Sequence, residues 1–78
     1  MSKISFTDGT SDITMERMKH TVEVSINDSQ GSESVEIPHE ARLQLFDFYE
    51  QCLTIIRDHE LTHVDKAHLR DVLLGKAH

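Results

Sequence analysis

Between Ala41 and Ile56, ten of sixteen residues are apolar: Ala41, Leu43, Leu45, Phe46, Phe48, Tyr49, Cys52, Leu53, Ile55 and Ile56. The polar positions around them, Glu40, Gln44, Asp47, Gln51, Thr54 and Asp58, recur at helical spacing and form one narrow stripe. A helix lying on one small sheet needs an apolar arc only about 100° wide. The arc here is close to twice that width. Any fold of this chain must therefore cover one helix on two sides.

The segment before the helix changes period from 3.6 to two. Met18, His20, Val22, Val24 and Ile26 share one face of a strand, with Lys19, Thr21, Glu23 and Ser25 on the other. Asn27–Ser32 reads as a polar loop longer than a two-residue turn, and Val35 and Ile37 as a return strand. Pro38 suits the first turn of the helix, where a missing N–H costs nothing. His39 shares that turn, and Glu40 suits the positive end of the dipole. The expected helix thus runs from about Pro38 to about Arg57. A second helix starts at Asp65, a good N-cap, with Val64 and Leu69 spaced as a hydrophobic staple. Leu69, Val72 and Leu73 face inward, Gly75 is the C′ residue, and Lys76 sits near the negative end.

Residues 1–17 are read as an N-terminal arm, a short strand near Ile4 and Phe6, or a helical turn near Met15. The turn chemistry of Thr7–Asp12 lies between. Residues 18–78 are read as a single small α+β domain. The expected fold is an antiparallel β-hairpin, with a third strand from residues 3–7 as an option, packed on one long and one short helix in β-β-α-α order. A hairpin and a short helix do not easily cover both flanks of the long helix. The flank carrying Leu43, Phe46, Tyr49, Leu53 and Ile56 is left for residues 1–17, for a second copy or for another protein. A homodimer is the expected solution, two-fold pairs being the commonest assembly.

Charge narrows the function. Eight Lys and Arg oppose fourteen Asp and Glu in 78 residues, a net charge of −6 with His neutral. That balance repels a phosphate backbone, so nucleic acid is not the expected partner. No stretch has the roughly 18 apolar residues of a membrane span, and no basic-then-apolar leader opens the chain. One cysteine, Cys52, makes no internal disulfide and suits a reducing compartment, the cytoplasm.

One motif points to chemistry. His59-Glu60-Leu61-Thr62-His63 matches H-E-x-x-H and so resembles the zinc-binding helix of the zincin metallopeptidases. The resemblance implies His59 and His63 as ligands on one helix face and Glu60 as the base that activates a metal-bound water. It covers five residues, and where an extended motif would place glycine and a third histidine the chain has Lys66 and Leu69. A small metal-binding protein or metallohydrolase is the alternative reading. The third is a dimeric DNA-binding regulator, because a strand followed by two helices resembles the ribbon-helix-helix repressors. There, Glu33, Ser34 and Glu36 would face the DNA, with the wrong charge.

The expected function is therefore non-enzymatic and needs no cofactor or bound metal. It is a small acidic protein-interaction module, an inhibitor or adaptor of the size and charge seen in phages and mobile elements. It would occupy a partner protein's surface, one that is basic and binds nucleic acid in the sharpest version. Asp28, Glu33 and Glu36 are the expected contacts with such a partner, and Phe46, Tyr49 and Leu53 the expected contacts for self-association.

Overall fold

The two-residue alternation that reads as one hairpin extends through the N-terminal segment, so the chain builds two hairpins in series. The computed structural model describes residues 2–75. Strands β1 (Lys3–Thr7), β2 (Asp12–Arg17), β3 (Thr21–Asp28) and β4 (Gly31–Pro38) form one antiparallel sheet in the order β1-β2-β3-β4. Helices α1 (Arg42–Asp58) and α2 (Lys66–Leu74) follow and cover one face of it. The order is β-β-β-β-α-α, an α+β fold. Lys76, expected at the end of the second helix, lies outside the described residues. No helix among the described residues is long and apolar enough to cross a membrane.

Residues 3–17 supply two of the four strands and join the core on which the helices pack. Ile4 and Phe6 of β1 stand beside Met15 and Ile13 of β2, and all four are buried. Across the sheet, Met15 faces Val24, and Val22 faces Ile37. Onto this surface α1 sets Leu45, Cys52 and Ile56, and α2 sets Leu69, Val72 and Leu73, to make one core. Each such side chain, fully buried, contributes about 1.5–3 kcal/mol of hydrophobic free energy. Four of the sheet's seven buried side chains thus come from the segment whose structure the sequence leaves most open.

The turns set the register. Asp8 Oδ1 accepts from the N–H groups of Thr10 and Ser11, both at 2.9 Å, and from the Thr10 hydroxyl at 2.8 Å. These bonds, the backbone ones first, hold the Asp8 carboxyl down at about 2. Between β3 and β4 the turn is only Ser29-Gln30, not the six-residue loop expected over Asn27–Ser32. Asp28 Oδ1 accepts from the Gln30 N–H at 2.8 Å, and Gly31 takes the positive φ of 144° that a side chain would resist. Asn27, Asp28, Gly31 and Ser32 therefore belong to strands.

Three further expectations are corrected. Pro38 ends β4 instead of opening the helix, because the alternation of Val35 and Ile37 carries the strand through it and an edge strand tolerates a missing N–H. His39 and Glu40 lie between strand and helix, and α1 begins at Arg42 with no side-chain cap and no acid in its first turn. Met18 and His20 precede β3 and form the β2–β3 connection, where Met18 N–H donates to Thr21 O at 2.8 Å. The second helix follows expectation. The Asp65 carboxylate accepts from the N–H groups of Ala67 and His68, and Gly75 caps the far end at φ 82°.

Candidate interaction surfaces

Strand alternation divides the expected acidic site between two faces. Glu33 and Glu36 are three residues apart on β4, so they point to opposite sides of the sheet. Glu36 lies on the face no helix covers. There the register places it beside Glu23, and Glu23 beside Glu16, in one row across β4, β3 and β2, with Lys3 at the β1 end. The rest of that face is equally polar: Ser5, Thr14, Ser25 and Ser34 form the next row. Like charges directly opposite each other destabilise a sheet. No ion pair relieves this row, since the only one among the described residues joins Arg57 to Asp58 at 3.3 Å. Glu16 and Glu23 are the members sequence reasoning missed. The polar parity of Glu23 was legible, but its alignment with Glu16 required β2.

Glu33 and Asp28 belong to the other face, at the end of the sheet beyond the helices. Glu33 pairs with Ile26 there, and Val35 lies on the same side. Ile26, Asp28 and Glu33 line a hollow of about 310 Å³ at the β3–β4 turn, together with Gln30, Gly31 and Ser32.

The expected self-association patch also divides. Tyr49 and Leu53 are half-buried and pack against the chain's own core, and Ile56 is buried. Phe46 remains 44% exposed, its ring 6.2 Å from that of Tyr49, and Leu43 is 84% exposed. Both line an open cleft of about 1030 Å³ between the start of α1 and the end of α2. Arg17, Arg42, Arg70 and His39 line it too, with no Asp or Glu among its lining residues. Three of the chain's four arginines thus meet in one cleft of an acidic protein. Arg17 is anchored there by donating from Nη1 to Val72 O at 3.2 Å, at the negative end of α2. Positions 17, 42 and 70 share no motif, so nothing in the sequence announces their convergence.

The H-E-x-x-H residues are not on a helix. α1 ends at Asp58 and His59 is its C-cap. Glu60 takes the left-handed φ of 53°, with its N–H donating to Arg57 O at 3.2 Å and the Leu61 N–H donating to Ile56 O at 2.9 Å. That pair of bonds is a Schellman stop, sealed by the apolar Leu61. His59 and His63 therefore do not stand on successive helical turns, and the ligand geometry of a zincin is not formed. Among the described residues, no three His, Cys, Asp or Glu side chains group as metal ligands. His68 is half-buried and its Nε2–H donates to Lys3 O on the β1 edge at 2.8 Å. Cys52 is buried against the sheet, and burial pushes its thiol up to about 11, a protonated and unreactive state at neutral pH.

Comparison with known proteins finds no matching family model, no matching curated protein and no matching solved structure.

Proposed function

We propose that this chain is a small, acidic, non-enzymatic protein-interaction module of the cytoplasm that occupies a basic surface of a partner protein, as an inhibitor or adaptor does. The uncovered sheet face is the contact surface. The observation that carries the reading is the row Glu16–Glu23–Glu36, three carboxylates in direct cross-strand register with no ion pair among them. Such a row costs the isolated fold free energy, and a cationic surface laid across it recovers that cost on binding. A helix-free, hydroxyl-rich surround suits a broad polar contact. The nucleic-acid-binding surface of another protein is the partner chemistry that fits best, because lysines and arginines spaced for phosphates also face a row of carboxylates.

The test compares the wild-type chain with a triple Glu16→Lys, Glu23→Lys, Glu36→Lys variant as immobilised bait in a lysate of the source cell. Proteins held only by the wild type and released by salt are identified, and each is then assayed for loss of bound DNA or RNA when the free chain is added. The reading expects basic proteins whose nucleic acid is displaced by the wild type and not by the variant. Equal retention by both baits, or capture without displacement, overturns it.

A further inference from the structure

Every large apolar side chain that stands exposed among the described residues lies at one of two places. Ile26 (39% exposed) and Val35 (45%) flank the acidic β3–β4 end with Asp28 and Glu33, while Leu43 and Phe46 flank the arginine-lined cleft. One end offers grease with carboxylates, and the other offers grease with guanidiniums. Glu33 and Pro38 mark the two ends on β4, about 17 Å apart along the strand. Opposite charges set beside matched apolar side chains make each end the complement of the other.

We propose that the chain forms a closed two-fold homodimer in which the acidic β3–β4 end of each copy docks at the Arg17–Arg42–Arg70 cleft of the other. The free edge of β4 supplies the axis. Its two-residue turn makes Asp28 and Gly31 a hydrogen-bonded pair, so Ser32, Ser34 and Glu36 turn their backbone N–H and C=O groups outward. Antiparallel pairing of two such edges about Ser34 sets Ser32 against Glu36 of the second copy and Glu33 against Val35 of the second copy. No glutamate then faces a glutamate. The same alignment carries the acidic end of one copy alongside the start of α1 in the other, where Arg42 and Leu43 stand. Two contacts form at once and the arrangement closes, as an isologous pair must. The uncovered faces join into one sheet surface of eight strands, so the glutamate rows of the proposed function remain open and are doubled.

The experiment is sedimentation of the full chain over a wide concentration range, with circular dichroism as the folding check. The wild type is expected at twice the 9.0 kDa of one chain. A Gln30→Arg, Glu33→Arg variant, which keeps the Asp28 turn cap, and an Arg42→Glu, Arg70→Glu variant should each fall to the mass of one chain. Mixing the two variants in equal amounts should restore the doubled mass, since both contacts of the mixed pair are again oppositely charged. All four substitutions in one chain should restore it as well, which also shows that the single-end variants had not lost their fold. A wild type with the mass of one chain, variants that stay paired, a mixture that does not recover, or a mass that climbs past two chains overturns the proposal. None of these changes touches Glu16, Glu23 or Glu36, so partner capture is scored separately.

Discussion

The Sγ of Cys52 lies 3.8 Å from the Sδ of Met15, and through that contact the long helix rests on the second strand. Both side chains are buried, and Met15 belongs to the segment before residue 18 that completes the sheet. The contact joins two residues 37 positions apart in the chain. It is one of the contacts by which the N-terminal hairpin becomes part of the core, beside the buried Ile4, Phe6 and Ile13.

Truncating that joint should therefore be expensive. Met15→Ala is expected to lower unfolding stability by about 2–5 kcal/mol, read as a reduced urea midpoint. Cys52 should resist iodoacetamide at neutral pH and react once urea unfolds the chain, because burial holds its thiol near 11. Rapid alkylation of the folded protein would show that α1 does not sit on β2.

The central glutamate of the row sets stability against binding. Glu23→Gln is expected to raise stability by roughly 0.2–1 kcal/mol, more at low salt than at high, by removing a charge with a like charge on each side. The same change should weaken capture of a basic partner. Thermal melts across a salt series, run beside the capture assay, check both directions, and a Tm that falls contradicts the repulsion.

Glu60 occupies a backbone conformation that glycine adopts without strain. Glu60→Gly is expected to stabilise the chain by about 0.5–1 kcal/mol, the relief at φ 53° exceeding the added freedom of the unfolded chain. A fall in the urea midpoint would show that the glutamate side chain has a structural partner the Schellman stop does not require.

Stability at low pH should depend on Asp8. Its folded carboxyl is held at about 2, against 3.8 ordinarily, so the unfolded chain takes up the proton first as pH falls. Its contribution is complete above 3.8 and is lost as pH drops toward 2. The Tm difference between wild type and Asp8→Ala should be constant at neutral pH and shrink across that window. A difference that persists at pH 2 would place the effect elsewhere in the turn.

Much of the fold is legible in local patterns. Val22, Val24 and Ile37 are buried on one face of their strands, and Asp65 and Gly75 cap the second helix, while Leu43 and Phe46 of the apolar arc on α1 stay exposed. Local pattern fails where two rules compete for one residue. Pro38 satisfies both a helix start and a strand end, and the continuing alternation of β4 decides. Asn27, Asp28 and Ser32 have turn composition, yet a two-residue turn held by Asp28 Oδ1 and the positive φ of Gly31 leaves them to pair in strands.

The candidate surfaces were legible only in part. Glu36 and Phe46 are exposed as expected, but Glu33 turns away from Glu36, and Tyr49 and Leu53 are drawn toward the chain's own core. The sequence by itself determined the alternation, the caps, the acid excess and the helix too apolar for a single hairpin. These depend on residues within a turn or two of each other. Only the tertiary structure decided that Glu16 joins Glu23 and Glu36, that Arg17, Arg42 and Arg70 share a cleft, and that exposed apolar side chains gather at two oppositely charged ends. Those juxtapositions are set by strand register and by how helices lie across a sheet, which are properties of packing that no local spacing encodes.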